Sequence, residues 1–215
     1  MIPSYAAQAS AIPQGLPLRQ LIELASPMPP FIFELREKIR NGKKWQTRRV
    51  CALQPMDDLK RSAFVEDAYQ YDKGMRYIKP KYPRDLRYLR EPLYKGEDGF
   101  AYYRDDQSMA FDRYLSPITW RWKKNVLSQL FMPHDAARFF VNWQVVGIQK
   151  IMNVNVDDII AEGIQRTRKG GINPKCLHDE FVLLWDGINA KRGHGFKTNP
   201  YVWVYEFHPY QRGNQ

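Results

Sequence analysis

Residues 139–151 are Phe-Phe-Val-Asn-Trp-Gln-Val-Val-Gly-Ile-Gln-Lys-Ile, and they form the clearest strand candidate in the chain. β-branched and aromatic side chains dominate this stretch and partly alternate with polar ones, a pattern typical of a half-buried β-strand. Further strands are expected at residues 86–94, 99–104 and 200–207, with a hairpin turn at residues 95–99, Lys-Gly-Glu-Asp-Gly.

Short helices are expected between these strands. In residues 31–41, Phe31, Leu35 and Ile39 recur every four positions and therefore share one helix face, and Asn41-Gly42 supplies the stop. Other helical patterns cover residues 18–24, 135–137, 156–164 and 177–190. Short strands separated by helices predict the α+β class, as a small mixed or antiparallel β-barrel with short flanking helices.

The chain of 215 residues is predicted to hold one main domain, because no Gly/Ser-rich linker divides it. Residues 1–30 contain six of the fifteen prolines and are expected to be an extended arm that lies on the domain, contacts a partner or is disordered. The domain itself is placed at residues 31–209, with an irregular insertion at residues 52–85, and residues 210–215 form a tail.

The charge of the chain is strongly basic and clustered. Lys and Arg number 33 against 23 Asp and Glu, giving a net charge of +10. Residues 36–50 and 73–90 each carry seven basic residues and one acid, and residues 165–175 carry four basic residues and no acid. Such blocks favour RNA or a nucleotide as the partner if folding brings them together, although a merely soluble basic protein is the alternative.

Neither a disulfide framework nor a membrane segment is expected. Cys51 and Cys176 lie far apart in sequence and form no CxxC pair, so a reducing cytoplasm is predicted. No apolar run approaches the ~18 residues that span a bilayer, and the start of the sequence does not resemble a signal peptide. The four histidines show no metal-ligand spacing, so neither a metal nor a cofactor is expected.

The densest chemical signal is Gly42-Lys43-Lys44-Trp45-Gln46-Thr47-Arg48-Arg49. Lys44 and Thr47 are three residues apart, and a desolvated lysine beside a threonine hydroxyl can take its proton. Arg49 is suited to hold a phosphate or to stabilise an oxyanion. A solvated basic loop is the alternative for this octapeptide.

The motif Gly-x-Lys-x-x-Thr-x-Arg after a short N-terminal helix resembles the signature of the ASCH domain family. Leu89-Arg90-Glu91 is similar to that family's strand ending in Arg-Glu, and residues 157–164, Asp-Asp-Ile-Ile-Ala-Glu-Gly-Ile, are similar to its short acidic helix. Met132-Pro133 before Ala136-Ala137-Arg138, together with residues 181–193 and 199–207, resembles the phage- and prophage-encoded branch. The resemblance runs from about residue 31 to residue 207 and is poor over residues 52–85.

This resemblance implies a PUA-like barrel whose ligand cleft opens beside the Gly-x-Lys loop. In relatives that remove the acyl group from acylated cytidine, the catalytic positions match Lys44, Thr47 and Glu162; other relatives are ribonucleases or RNA-binding modules. The residues expected to bind substrate or nucleic acid are Gly42, Lys43, Trp45, Arg48, Arg49, Arg90, Glu91 and Arg138. A phage-encoded chain would act in the cytoplasm of its bacterial host.

Three functions therefore remain open at the level of sequence. In an amidohydrolase, Thr47 would be the nucleophile or position water, Lys44 would activate it and Glu162 would be the general acid/base. In a ribonuclease, Lys44, Arg49 and Glu162 would act at phosphate. In a non-catalytic RNA-binding module, Lys44 and Glu162 would form a structural ion pair.

Overall fold

The structure is a computed structural model, which describes residues 15–54, 59–61, 68–71, 76–164, 167–168 and 171–210. The expectations for residues 1–14 and 211–215, and for parts of the segment 52–85, lie outside the described residues.

Four α-helices occur in the described ranges: α1 (Leu18–Leu24), α2 (Phe33–Arg40), α3 (Val156–Ala161) and α4 (Pro174–Asn189). Side chains cap the later two. Asn155 and Asp158 form a capping box at the start of α3, and the Asn173 side chain accepts from the backbone at the start of α4, where proline occupies the first turn. Single 3₁₀ turns are Gln129–Phe131, His134–Ala136, Ile151–Asn153, Ala190–Arg192 and Phe196–Thr198.

Thirteen strands are found in the described residues. They are β1 (Ser26–Pro27), β2 (Gln46–Val50), β3 (Lys60–Arg61), β4 (Tyr69–Tyr71), β5 (Arg76–Ile78), β6 (Asp85–Tyr88), β7 (Leu93–Lys95), β8 (Ala101–Tyr103), β9 (Val126–Leu127), β10 (Phe140–Lys150), β11 (Thr167–Arg168), β12 (Gly171–Ile172) and β13 (Tyr201–Pro209).

The described chain divides into two compact units that are discontinuous in sequence. Unit 1 holds residues 15–29, 86–142 and 209–210. In it β1 pairs in parallel with β6, and β6 also neighbours β10, whose first three residues belong to this unit. A second sheet, β8-β7-β9, is antiparallel and contains the predicted hairpin. The hydrophobic core of unit 1 includes Leu21 and Ile22 of α1, both fully buried.

Unit 2 holds the described residues of 30–85 and 143–208. Its central strands follow the order β10-β13-β2, and β13 pairs antiparallel with β2 so that Tyr205 lies opposite Thr47. Strands β3, β4 and β5 form a small antiparallel sheet, and β11 pairs with β12. The core under α3 and α4 consists of Ile151, Ile159, Ile164, Leu177, Phe181, Trp185, Phe196 and Val202.

The α+β class with mainly antiparallel sheets is confirmed. Some boundaries differ from those predicted. The strand expected at residues 86–94 is two strands, β6 and β7, and α4 begins three residues early because Asn173 and Pro174 start it. The segment expected to be irregular contains β3 to β5, and the second half of the expected arm is packed, with Met28 fully buried.

No helix in the described ranges is long and apolar enough to cross a membrane.

Candidate active site

The loop between α2 and β2 is held in place by backbone hydrogen bonds at both ends. The amides of Lys43 and Lys44 donate to the carbonyl of Lys38 at 2.8 and 3.0 Å, so the loop closes over the end of α2. The amide of Trp45 donates to the carbonyl of Ala161 in the last turn of α3 at 3.0 Å. These bonds bring the Gly-x-Lys motif against the C-terminal end of the acidic helix.

Lys44 and Glu162 meet in the interior of unit 2, although 118 residues separate them in sequence. Only 2% of Lys44 and 6% of Glu162 is exposed. The Nζ of Lys44 donates to Oε2 of Glu162 at 2.5 Å, to the carbonyl of Glu162 at 3.0 Å and to the carbonyl of Gln46 at 2.7 Å. An ammonium has three donors, so all three are used here.

Burial lowers the pKa of Lys44, although the Glu162 carboxylate opposes this effect. The nearby Arg49 and Arg48 guanidinium groups lower the pKa further. The physical cause is the cost of keeping a charge in a poorly solvated interior. A lysine whose pKa is lowered loses its proton more readily, so Lys44 is the member of this cluster best suited to act as a base.

Arg48 joins the same buried cluster. Its NH1 donates to Oε1 of Glu162 at 3.3 Å, and its NH2 lies 2.6 Å from Oδ1 of Asp158. The side chain of Arg48 is almost fully buried. Binding of substrate by Arg48 remains a prediction, and it would require this cluster to open.

Thr47 lies one residue before Arg48 on β2. Successive side chains of a strand point to opposite faces, so Thr47 shares a face with Arg49, away from Arg48. Thr47 is 4% exposed, and its hydroxyl makes no hydrogen bond to Lys44 or Glu162, both of which are described. The structure thus brings together two members of the predicted catalytic set, while the third is not bonded to them.

The Phe31 ring lies beside Arg49, on the face of β2 that carries Thr47. The guanidinium carbon of Arg49 lies 4.7 Å from the centre of the Phe31 ring, and the Nζ of Lys44 lies 5.9 Å from the same centre. The NH2 of Arg49 donates to the carbonyl of Pro30 at 3.1 Å. Burial lowers the pKa of Arg49, and the Glu162 carboxylate opposes that effect. Phe31 therefore adjoins both Lys44 and the face that carries Thr47.

The other residues expected to bind a ligand differ in exposure. Gly42, at φ +71°, and Lys43 are exposed in the loop, and Trp45 is partly buried. Arg90, Glu91 and Arg138 belong to unit 1, not to the unit that holds Lys44.

In unit 1, Glu91 is completely buried and accepts two hydrogen bonds from Arg138, at 2.8 and 2.6 Å. Arg138 also lies 2.8 Å from a carboxylate oxygen of Asp106 and stacks over the Tyr103 ring. Arg138 and Glu91 therefore form a bidentate ion pair in this structure.

Cys51 follows Arg49 by two residues, but its chemistry does not suit a nucleophile. Burial raises the pKa of its thiol to about 12. The thiolate is the reactive form, so Cys51 is a buried, unreactive thiol near neutral pH.

Two residues of this region were not among the predicted site residues. Asp158 pairs with Arg48, and Asp158 and Glu162 are four residues apart, the spacing that puts two side chains on one face of a helix. Gly163 has φ +89°, and a Cβ there would lie 2.9 Å from the Cβ of Lys44. The Glu-Gly sequence at the end of a predicted helix is a signal for such a left-handed stop.

Among the described residues, no group of three or more His, Cys, Asp or Glu is placed to hold a metal ion.

Comparisons of the chain with family models, with curated proteins and with solved structures found no match in any of the three.

Proposed function

We propose that this chain is a PUA-like protein of the ASCH type that binds a modified nucleoside, free or within RNA, and hydrolyses an amide bond on its base. N4-acylcytidine is the substrate class that we assign to it. The observation that carries the proposal is the buried Lys44–Glu162 pair, with 2.5 Å between Nζ and Oε2.

The chemistry follows from the proton that the pair shares. Transfer of that proton to Glu162 leaves Lys44 as a neutral amine. Lys44 then takes the proton of the Thr47 hydroxyl as its oxygen adds to the acyl carbonyl carbon. The carbon–nitrogen bond breaks, and Glu162 returns its proton to the departing N4 nitrogen.

One water completes the cycle. Lys44 carries the proton gained from Thr47 and returns it to the threonine oxygen when water hydrolyses the acyl ester. The proton lost by that water restores the shared proton of the pair. The net reaction is amide plus water giving carboxylic acid plus cytidine, and neither metal nor organic cofactor takes part in these steps.

The charge of the chain supports a nucleotide-containing ligand. The net charge is +10, and Lys43 lies exposed in the loop next to Lys44. Exposed cationic side chains attract phosphate groups, and this attraction weakens as the salt concentration rises. RNA carrying the modified base is therefore expected to bind more weakly at high salt than at low salt.

A non-catalytic RNA-binding module is the second candidate. Two observations favour it. All three donors of the Lys44 ammonium already have acceptors within the protein. Among these described residues, the Thr47 hydroxyl makes no hydrogen bond to Lys44 or Glu162. In that case Lys44 and Glu162 stabilise the loop against α3, and RNA binds to the exposed basic residues.

The deciding experiment is incubation of the protein with N4-acetylcytidine, with cytidine measured by chromatography. We expect turnover by the wild type and a loss of at least about a thousandfold in kcat/KM in Lys44→Met and Thr47→Val, because each removes a group that acts on the reacting atoms. Lys197→Met, which removes an exposed lysine of the same unit that is not among the predicted site residues, is the control and should retain turnover.

Other results point to the alternatives. No turnover by the wild type, with salt-sensitive RNA binding that survives Thr47→Val, identifies the binding module. Cleavage of unmodified RNA that is lost in Glu162→Gln identifies a ribonuclease. Full activity of Lys44→Met contradicts the proposed chemistry.

A further inference from the structure

We propose that Arg48, anchored by Asp158, is a positioning residue that holds the Glu162 carboxylate in the orientation in which it shares a proton with Lys44. This inference deepens the proposed function. Its kinetic test requires the proposed deacylation, whereas its titration test does not. It assigns Arg48 to the support of the active site, not to the direct binding of substrate.

The geometry begins with the two oxygens of Glu162. Oε2 accepts from Lys44 at 2.5 Å, and Oε1 accepts from NH1 of Arg48 at 3.3 Å. A carboxylate bonded at one oxygen can still rotate about its last carbon–carbon bond, because that torsion is broad. A second donor on the other oxygen removes this freedom, so Arg48 fixes the orientation of the carboxylate plane toward Lys44.

Arg48 is in turn fixed by Asp158. Oδ1 of Asp158 lies 2.6 Å from NH2 of Arg48, and Oδ2 accepts from the backbone amide of Asn155 at 3.1 Å. The side chain of Asn155 completes the capping box by accepting from the Asp158 amide at 2.9 Å. The start of α3 therefore orients Asp158, Asp158 orients Arg48, and Arg48 orients Glu162 at the end of the same helix.

The cluster is balanced in charge, with Lys44 and Arg48 opposite Asp158 and Glu162. The charged groups that face Lys44 are Glu162 at the end of α3 and Arg48 and Arg49 on β2; from α2, the stem of Lys38 adjoins Gly163 beside it. Arg48 lowers the pKa of Lys44 by like-charge repulsion, a smaller effect than those of burial, Glu162 and Arg49. Removal of Arg48 ends this repulsion but also frees Glu162, whose larger effect raises the pKa of Lys44, so the pKa of Lys44 is expected to fall.

Arginine is required at position 48 because one side chain must reach two carboxylates. Its planar guanidinium presents several donors in a fixed fork, whereas the ammonium of a lysine is a point charge on a flexible stem. Arg48→Lys therefore keeps the charge but loses the simultaneous contact with Asp158 and Glu162. Asp158→Asn keeps the charge of Arg48 but weakens its anchor.

The test uses the full chain and its Arg48→Met, Arg48→Lys and Asp158→Asn variants, with Lys197→Met, a change at an exposed lysine of the same unit, as control. The first readout is the pH titration of the Lys44 Nζ signal in protein labelled with ¹⁵N-lysine, assigned by its loss in Lys44→Met. The second readout is kcat and KM for N4-acetylcytidine. Urea unfolding of each variant establishes that it is folded at the temperature of measurement.

We expect the Lys44 midpoint to move to lower pH in Arg48→Met, because Glu162 is no longer held beside Lys44, and to stay near the wild-type value in Lys197→Met. In Arg48→Lys and Asp158→Asn we expect kcat to fall at least about tenfold with KM changed less than about twofold, because misplacement of a proton donor affects the reacting step and not the binding of substrate.

A Lys44 midpoint that is the same in folded Arg48→Met and wild type overturns the inference. If Arg48→Met does not fold, unchanged kcat in both Arg48→Lys and Asp158→Asn overturns it instead. If the wild type does not deacylate N4-acetylcytidine at all, the proposed function fails. The titration of Lys44 in Arg48→Lys and Asp158→Asn then still decides the inference about Arg48. A Lys44 midpoint equal to that of the wild type in both variants contradicts this inference.

Discussion

Two buried glutamates, one in each unit, are bonded to basic residues in different ways. Glu162 of unit 2 accepts from Lys44 at 2.5 Å and from Arg48 at 3.3 Å. Glu91 of unit 1 accepts two hydrogen bonds from Arg138, at 2.8 and 2.6 Å. Burial lowers the pKa of Lys44, whereas Arg138, despite the opposing effect of burial, has its pKa raised by Glu91.

The difference separates an ion pair that can move a proton from one that cannot. A guanidinium stays protonated in proteins, and a bidentate bond to a carboxylate stabilises the charge further. A buried ammonium is the group whose pKa shifts readily, which is why desolvated lysines serve as bases. By this argument the Arg138–Glu91 pair stabilises unit 1, and the Lys44–Glu162 pair is the one suited to catalysis.

The largest expected effect on stability lies in unit 1. Arg138→Met removes both hydrogen bonds to the fully buried Glu91, and breaking one side of a buried pair costs about 3–5 kcal/mol. We expect urea unfolding to show a loss of that size. A loss below about 1 kcal/mol would mean that Glu91 does not depend on Arg138.

Lys44→Met serves as the comparison in the same measurement. Glu162 keeps its contact with Arg48 in that variant, so the loss of stability is expected to be smaller than in Arg138→Met. An equal or larger loss in Lys44→Met would contradict the division between a stabilising pair in unit 1 and the proposed catalytic pair in unit 2.

A smaller effect is expected at Gly163, which closes α3 beside Lys44. Its φ of +89° is unfavourable for other residues, and a Cβ would lie 2.9 Å from the Cβ of Lys44. Gly163→Ala should lower the free energy of unfolding by about 1–3 kcal/mol and displace Lys44. Thermal unfolding and the deacylation rate measure the two consequences.

Gly187→Ala is the matched control for that variant. Gly187 lies within α4, and a Cβ there would meet no described heavy atom within 4 Å beyond its chain neighbours and the local helix backbone. Alanine favours a helix interior by up to about 1 kcal/mol over glycine, so this variant should be at least as stable as the wild type. Equal thermal stability of Gly163→Ala and Gly187→Ala would contradict the claim that an alanine at position 163 strains the backbone.

The secondary structure was largely predictable because it depends on local patterns. Runs of β-branched and aromatic residues identified β10 and β13, and the four-residue spacing of Phe31, Leu35 and Ile39 identified α2. The break between β6 and β7 lies at residues 89–92, Leu-Arg-Glu-Pro, where Pro92 cannot donate to a sheet, so the single strand expected at residues 86–94 overlooks a local signal.

The site was predictable in part. The resemblance to the ASCH signature singled out Lys44 and Glu162, which lie side by side in the structure. The contact of Arg48 with Asp158 and Glu162 was not predicted, because it depends on which face of β2 meets α3. No local periodicity carries that information for residues more than a hundred positions apart.

The most direct test of the central claim is the deacylation of N4-acetylcytidine by Lys44→Arg, which converts the Lys44–Glu162 pair into an arginine–glutamate pair like that of unit 1. The substitution keeps a positive charge beside Glu162 but removes the amine that can lose its proton. The account predicts a folded protein whose kcat/KM falls at least about a thousandfold from the wild-type value. A folded Lys44→Arg variant that retains a tenth or more of wild-type turnover would contradict it.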